Sequence, residues 1–230
     1  MVDENSARLP ATNGGPVDDY SCARLLREER RRPARARRTR PGAGNYRSDM
    51  ATLTELIRAD LVQMAEGQPL TRQRVLLRLA VHARWRAVIA LRLAQRAMQT
   101  SVTRPLGLLI ADRVLSSSGA ELRPTSSIGP GLVLKHTTGI VVGGEVVAGE
   151  RLTLHQNVTI GDRRPFGGQP TLGDDVTLGA GACVLGPITL GDRVSVAANA
   201  VVLEDVPSDS LVGGIPARVL RTLTPLPPSS

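Results

Sequence analysis

A six-residue repeat across residues 128–206 constrains the fold of this chain more than any other feature. Aliphatic residues recur at steps of six from Val142 to Ile160 and again from Leu172 to Val202. Glycine often follows them, and a second small or branched apolar residue stands four positions later. One hexapeptide cannot bury its own apolar side, whereas stacked hexapeptides share a continuous core. The repeat therefore predicts a mainly β fold, a parallel β-helix with three short sides per coil and coils about 4.8 Å apart.

The part of the chain before the repeats has a helical pattern. Thr52 and Glu55 have capping-box spacing, and apolar residues then recur every three or four positions. A second helix is predicted from about Thr71 to Met98, and a third follows Pro105. His82 falls inside the second predicted helix without a partner nearby in sequence, so we interpret it as a packed or surface histidine.

Charge is concentrated at the N-terminus. Residues 1–49 contain 11 Arg against 7 acidic residues, and the whole chain has a formal charge of +8. Such a composition is typical of a disordered, solvated tail, and a basic arm for nucleic acid or an anionic surface is the alternative. The predicted segments are a disordered Arg-rich tail at 1–49, an α-helical domain at 50–119, a β-helix domain at 120–218 and a Pro-rich tail at 219–230.

Composition also excludes several classes of function. The chain has only four aromatic residues, and base stacking on aromatic platforms needs more, so nucleic-acid binding is not expected. The two cysteines, Cys22 and Cys183, cannot build a disulfide framework or a cysteine-rich metal site. We interpret them as reduced thiols of a cytoplasmic protein. The sequence shows neither the apolar segment of a secretory signal nor a charge-free apolar stretch of membrane-spanning length.

Two breaks in the repeat predict where function lies. Leu134 and Val142 are eight residues apart instead of six, and the two extra residues fall in KHTTG, which contains His136. A bulge re-aims side chains, so His136 is expected to point away from the core. The second break, Gly161 to Thr171, leaves the phase of the repeat intact and is predicted to be a loop that leaves the coil and returns.

Stacking of neighbouring coils brings further residues to His136. Leu154 is expected above Leu134, which places His155 over Lys135 and Gln156 near His136. Two of the three histidines would then share one corner, beneath the loop. A zinc site needs a third ligand, and none is suitably placed, so no metal is expected.

These segments carry a family resemblance. LVLKHTTGIVVGG at residues 132–144 and GGIPARVL at residues 213–220, together with the repeats, resemble the serine acetyltransferases of the hexapeptide acyltransferase superfamily. The resemblance covers about residues 84–220. It implies a left-handed β-helix, acetyl transfer from acetyl-CoA to a hydroxyl group, a role in cysteine biosynthesis, and a homotrimer or a dimer of trimers with active sites between neighbouring coils.

The resemblance also implies roles for individual residues. His136 matches the catalytic histidine, and imidazole suits a general base that takes the acceptor's hydroxyl proton. Glu121 stands fifteen residues earlier, where the family has an aspartate, and would hold the imidazole tautomer; the alternative is a solvated residue at the start of the coil. His155 joins them as a third catalytic candidate. The predicted cofactor-binding residues are Gly179, Ala180, Ala197, Ala198 and Arg218, with Arg221 as a second candidate for the nucleotide phosphates.

The acceptor subsite departs from the family pattern. Lys135 replaces an acidic residue before the histidine, and Gly168-Gln169-Pro170 replaces Arg-His-Pro in the loop. A lysine repels the ammonium of serine, and Gln169 provides no charge for its carboxylate, although Arg163 or Arg164 would be able to reach it. The sequence therefore predicts weak activity on L-serine and better activity on a sugar or another hydroxylated metabolite. Two alternatives stay open: a rebuilt pocket that retains serine, and an inactive β-helix scaffold.

Overall fold

Helices and strands occupy separate parts of the chain. The computed structural model describes residues 52–223, and the predicted disordered tail at 1–49 lies outside them, as do residues 224–230. The helices of the described part are α1 Leu53–Met64, α2 Arg72–Val81, α3 Ala83–Ala97 and α4 Arg104–Ser118.

The start of α1 confirms the predicted capping box. The Thr52 hydroxyl accepts the backbone N–H of Glu55 at 3.3 Å, and the Glu55 carboxylate accepts the backbone N–H of Thr52 at 2.6 Å. Two free donors of the first turn are satisfied in this way.

The predicted helix from Thr71 to Met98 is wrong in one respect, because the chain breaks at His82 into α2 and α3. His82 has extended backbone angles (φ −106°, ψ 114°). The guanidinium of Arg86 donates to the carbonyl oxygens of Leu79 and Ala80 at 3.0 and 2.9 Å, which satisfies the end of α2. The break turns the chain so that Trp85 in α3 is fully buried. Side-chain hydrogen bonds to the free carbonyl groups at a helix end do not alter the apolar period, so the period cannot predict such a break.

Fourteen short strands of the described part of the chain form the three faces of a parallel β-helix, with an antiparallel fifteenth strand beside the last of them, and this confirms the predicted fold. The first face contains β1 Glu121–Leu122, β4 Val141–Val142, β7 Thr159–Gly161, β10 Cys183–Leu185 and β13 Val201–Val202. The second contains β2 Ser127–Ile128, β5 Val147–Ala148, β8 Thr171–Leu172 and β11 Thr189–Leu190. The third contains β3 Val133–Leu134, β6 Thr153–Leu154, β9 Thr177–Leu178, β12 Ser195–Val196, β14 Ser210–Gly214 and β15 Ala217–Thr222.

Repeat residues of the sequence line the core. Leu134 pairs in register with Leu154, and Leu154 pairs with Leu178, so equivalent residues stack in columns. All three are fully buried. The residue that follows each of these leucines faces outward, so each coil places one residue on the surface of this corner: Lys135, His155 and Gly179.

The C-terminal boundary of the β-helix domain differs from the prediction. Strand β15 runs antiparallel to β14 and continues to Thr222, so the predicted end at residue 218 falls inside a strand. A hairpin that reverses direction has no hexapeptide period, and the sequence repeat therefore does not reveal it.

A column of paired charges occupies the corner between the second and third faces. Arg151 donates two hydrogen bonds to Asp175 at 2.6 and 2.8 Å, and Arg193 donates two to Asp209 at 2.5 and 2.8 Å. The Arg151 guanidinium is the main cause of the lowered pKa of Asp175. These bidentate pairs tie successive coils together at a corner away from the histidines.

Candidate functional site

The corner between the third and first faces, which we call the histidine corner, comprises residues 135–140, 155–158, 179–182 and 197–200. Neighbouring coils are bound there by backbone hydrogen bonds: Lys135 N–H to Leu154 O at 2.9 Å and His155 N–H to Leu178 O at 3.1 Å. His155 therefore lies over Lys135, as the register of the repeat predicts.

His136 lies on a bulge of this corner. Leu134 and Ile140 are both fully buried with five residues between them, whereas the equivalent Leu154 and Val158 have three between them. The extra length lets the chain turn Thr137 inward and leave His136 exposed. An exposed imidazole at a rigid corner is accessible to a substrate.

His155 is half-buried directly beside this bulge. Burial is the main cause of a lowered pKa for its imidazole, and the neighbouring Lys135 and His136 lower that pKa further. The backbone register places His155 and Lys135 on neighbouring coils of this corner, and His136 follows Lys135 directly in the chain. The neutral form of His155 is favoured, and neutral imidazole has one nitrogen that donates a hydrogen bond and one that accepts.

Lys135 is held by the helical region. Its ammonium pairs with the carboxylate of Glu66 at 2.6 Å, and its backbone carbonyl accepts a hydrogen bond from Arg84 at 3.3 Å. The hydrogen bond from Lys135 is the main cause of the lowered pKa of Glu66. Sequence analysis missed Glu66, because it is 69 residues from Lys135 and no local pattern marks it.

Four small residues continue the histidine corner beyond His155. Gly179 N–H donates to Val196 O and Ala197 N–H donates to Val212 O, each at 2.8 Å, so these positions stack coil upon coil. The predicted cofactor-binding residues of this strip are Gly179, Ala180, Ala197 and Ala198. They leave a shallow surface that starts at the histidines and runs along the β-helix.

Arg218 lies at the far end of the same strip. It pairs in register with Gly213, next to Ala197, and its side chain is exposed. The guanidinium makes a long contact of 3.5 Å with Glu204 and donates to the carbonyl oxygen of Ala217 at 2.9 Å. Arg221 also lies in β15 and is exposed.

Glu121 does not contact His136 in the structure. Its carboxylate pairs with the guanidinium of Arg123 at 2.7 Å, and within residues 52–223 no hydrogen bond joins it to the imidazole. Both side chains are exposed, so this ion pair contributes little stability and Glu121 is able to exchange Arg123 for another partner. The role expected for Glu121 therefore requires a change of partner.

The loop does not cover the histidine corner of its own chain, contrary to the prediction. It connects β7 of the first face to β8 of the second, so it leaves the β-helix at a different corner. The two corners are separated by the width of the first face, about 15 Å for roughly five residues of strand. The hexapeptide period determines which coil a residue lies on, but it does not determine the corner of the β-helix from which a loop leaves.

Gln169 has a structural role in the loop. Its side-chain oxygen accepts the backbone N–H of Glu145 at 2.8 Å, and its nitrogen donates to Asp162 at 2.9 Å. Arg163 and Arg164 are exposed. An open cavity of about 500 Å³ lies beside Gln169 and is lined by Arg123, Thr125, Gly144, Glu145, Asp162, Phe166 and Gln169.

Gln156 is a further candidate binding residue of the histidine corner, and the sequence alone did not assign it a role. Its side-chain oxygen is buried, and no group of residues 52–223 donates a hydrogen bond to it. A buried amide oxygen without a donor is costly and is a candidate for a contact with a bound molecule.

Across residues 52–223, no group of three or more His, Cys, Asp or Glu side chains is arranged to hold a metal ion. Cys183 is a half-buried free thiol. No helix among the same residues has the length and apolar character needed to cross a membrane.

Comparisons with known proteins agree with this architecture. Residues 169–204 match the family model described as bacterial transferase hexapeptide (six repeats). Serine acetyltransferase 4 of Arabidopsis thaliana is 36% identical over 122 residues, which span 50% of this chain and 33% of that protein.

Two solved structures share the fold over most of the chain. Soybean serine acetyltransferase complexed with serine is 34% identical, with a TM-score of 0.66 over 73% of this chain and 69% of that one. Serine acetyltransferase of Brucella abortus in complex with coenzyme A is 27% identical, with a TM-score of 0.66 over 74% and 68%.

Proposed function

The chain belongs to the serine acetyltransferase family, and from that premise we propose that it is an acetyl-CoA-dependent O-acetyltransferase. One observation carries the proposal: an exposed histidine on a bulge lies at one end of a strip of small residues. A strip without bulky side chains suits an extended donor molecule, and the histidine is where its thioester would meet an acceptor. The chain spans about a third of the length of the Arabidopsis relative, so its activity and substrates are proposed from the family and the site together.

His136 is the proposed general base. Its neutral imidazole takes the proton of the acceptor hydroxyl while the hydroxyl oxygen attacks the carbonyl carbon of the thioester. The carbon–sulfur bond then breaks, the thiolate takes the proton back from the imidazolium, and an O-acetyl ester is left. Positioned proton transfer of this kind contributes about 10²- to 10⁴-fold in rate.

Glu121 and His155 are proposed to support His136. A carboxylate near an imidazole stabilises the imidazolium that forms during the reaction. Glu121 would have to leave Arg123 for this role, and the exposure of that ion pair makes the exchange inexpensive. His155 contributes a neutral imidazole beside the base.

The donor is proposed to lie along the strip Gly179, Ala180, Ala197 and Ala198. Arg218 stands at its end, and its guanidinium donates to the carbonyl oxygen of Ala217 at 2.9 Å and makes a long 3.5 Å contact with Glu204. Its side chain is exposed, so its remaining donors are available for a phosphate group. Arg221 is a second candidate.

The complete site is proposed to form between two copies of the chain. Arg163, Arg164 and Gln169 belong to the corner between the first and second faces, whereas His136 lies at the corner between the third and first faces. The loop of a neighbouring copy in a trimer would supply these residues instead, and Arg163 and Arg164 are exposed for that purpose. Gln169 would act by holding the loop through its contacts with Glu145 and Asp162.

The ion pair with Glu66 bears on the choice of acceptor. The predicted repulsion of serine requires Lys135 to be an isolated cation, whereas its ammonium is paired with the Glu66 carboxylate. L-serine is therefore the first acceptor to test, with a sugar or another hydroxylated metabolite as the alternative. A role in cysteine biosynthesis and a cytoplasmic location stay predictions.

A direct assay tests the proposal. Purified full-length protein is mixed with acetyl-CoA and a panel of hydroxyl acceptors, and free thiol and O-acetyl product are measured together. Equal amounts of both support the proposal. Binding of acetyl-CoA without transfer to any acceptor would favour the second candidate, an inactive β-helix scaffold.

A further inference from the structure

The helical region contacts the histidine corner at Lys135, the residue directly before His136. The guanidinium of Arg84 in α3 donates to the carbonyl oxygen of Lys135 at 3.3 Å. We propose that Arg84 is a positioning residue, which sets the direction of the His136 side chain through this carbonyl. The inference rests on the proposed role of His136 as general base, and it adds a residue of the helical region to those that serve the reaction.

The carbonyl that Arg84 contacts belongs to the peptide group between Lys135 and His136. A peptide group is planar, so a donor that fixes the carbonyl oxygen fixes the whole plane. The orientation of this plane sets ψ of Lys135 and φ of His136. These two dihedral angles determine how the Cα–Cβ bond of His136 leaves the bulge.

Backbone hydrogen bonds fix the two ends of the bulge. The N–H of Lys135 donates to the Leu154 carbonyl at 2.9 Å, and the N–H of Gly139 donates to the Gly119 carbonyl at 2.8 Å. His136 lies between these two bonds, and its side chain is exposed. Neither bond involves the peptide group from which His136 departs.

Arg84 provides the missing constraint. Within residues 52–223, its hydrogen bond is the one that acts on the peptide group between Lys135 and His136. An exposed side chain on a bulge has few packing contacts of its own to hold it. The direction of the imidazole therefore depends on the backbone, and the backbone at this point depends on Arg84.

Arg84 is itself held by the packing of α3. It is half-buried in the first turn of this helix, and the next residue, Trp85, is fully buried. The guanidinium of Arg78 in α2 lies 5.0 Å from the centre of the Trp85 ring. The helix break at His82 begins α3 at this point, so the break that the apolar period did not predict places Arg84 beside the bulge.

A positioning role predicts a particular kinetic effect. A general base must lie within hydrogen-bond reach of the proton that it takes, and a displacement of about 1 Å costs up to about a hundredfold in rate. Arg84 contacts the backbone next to the base and not the strip proposed for the donor. Its loss should therefore lower kcat and leave the KM for acetyl-CoA unchanged.

Three variants of the full-length protein test this inference. Arg84→Met removes the donor, and kcat with the acceptor that the panel identifies should fall about ten- to a hundredfold. Arg84→Lys keeps a donor on an aliphatic side chain and should recover part of this loss. Arg96→Met, which loses only a contact with Gln99 at the other end of α3, is the control and should not change kcat. Thermal unfolding checks the fold, and Arg84→Gln, whose amide is too short to reach the carbonyl, replaces Arg84→Met if that variant does not fold.

A double variant shows whether Arg84 acts through His136. Once His136→Ala has removed the base, adding Arg84→Met should lower the residual rate no further, because the residue that Arg84 positions is gone. Losses that add in the double variant would show that Arg84 acts elsewhere and would overturn the inference. A higher KM for the acceptor with unchanged kcat would make Arg84 a binding residue, which also overturns it.

An NMR measurement tests the inference without catalysis. The chain has three histidines, His82, His136 and His155, so the imidazole Cε1–H signal of each is assigned by replacing them one at a time. The His136 signal should shift or broaden in Arg84→Met, return toward its place in Arg84→Lys and stay in place in Arg96→Met. If the unaltered protein transfers acetyl to no acceptor, the proposed function fails, and this spectrum still decides the inference. A His136 signal that is the same in Arg84→Met and the unaltered protein contradicts it.

Discussion

Arg92 and Asp60 form a fully buried ion pair at the junction between the helices and the β-helix. The Arg92 guanidinium donates to Asp60 at 2.8 and 3.1 Å and also to the carbonyl oxygens of Ile128 and Gly129 at 2.7 and 2.6 Å. Asp60 in turn accepts the backbone N–H groups of Gly131 and Leu132, each at 2.8 Å. The pair therefore satisfies the backbone of the first coil immediately before β3, the strand that leads to His136.

Removing one member of this pair should destabilise the protein strongly. Arg92→Met leaves a buried carboxylate without its counterion, and such changes cost about 3–5 kcal/mol. Arg96→Met, one turn later near the end of α3 where the side chain is exposed, is the control and should change stability by less than about 0.5 kcal/mol. Urea unfolding at fixed protein concentration measures both. Equal stability of the two variants would show that the junction does not depend on the pair.

His136→Ala should lower turnover by about two to four orders of magnitude, because the acceptor hydroxyl loses its base. The side chain is exposed, so the fold and the binding of acetyl-CoA should stay intact. Steady-state kinetics and calorimetry with acetyl-CoA measure the two effects. His82→Ala, also exposed but at the helix break, is the matched control. An unchanged rate in His136→Ala would remove the histidine from the mechanism.

Periodic features of this chain were predictable, whereas non-local ones were not. The columns of Leu134, Leu154 and Leu178 follow directly from the repeat, and the bulge at His136 follows from its interruption. A repeat fixes position along the axis, because burial recurs at a constant interval.

The helix break at His82 and the pairing of Glu66 with Lys135 depend on groups that are distant in sequence or that cap free backbone atoms. The corner from which the loop leaves the β-helix depends on which face each strand belongs to, and this assignment comes from the strand pairing. Features of this kind are set by tertiary contacts, and hydrophobic periodicity carries no information about them.

Gly179 should tolerate no side chain. A Cβ atom there would lie 2.7 Å from the backbone nitrogen of Ala198 and 2.8 Å from the carbonyl oxygen of Val196. Backbone atoms of a packed coil cannot move aside, so Gly179→Ala should cost about 1–3 kcal/mol and weaken acetyl-CoA binding. Gly161→Ala is the control, since a Cβ at that position meets nothing within 4 Å. Thermal unfolding and calorimetry of both variants check the prediction, and a fully stable Gly179→Ala would contradict the packing argument.

Acidification should destabilise the protein through His155. Its pKa is below the unperturbed value of 6.5 because of burial, with contributions from Lys135 and His136. The unfolded chain therefore binds the proton first as the pH falls below about 6.5, and stability is lost from there down to the lower pKa of the folded state. His155→Gln should show a smaller loss between pH 7.5 and 5.5 in urea unfolding. An identical loss in both proteins would assign the pH dependence to other groups.

Mixed assemblies should show whether one site takes residues from two chains. His136→Ala lacks the base, and Arg163→Ala/Arg164→Ala lacks the loop charges; each alone should have low activity. If the loop of one chain serves the histidine corner of its neighbour, a complex of both variants contains some sites with both sets intact. Purification through both tags selects mixed trimers, and in each of these one of the three interfaces joins an intact histidine side to an intact loop, so about a third of the sites should work. Co-expressed variants with different affinity tags, purified through both tags, provide the mixture, and tandem-purified unaltered protein is the reference. Activity that stays at the level of the single variants would place the loop and His136 in separate sites.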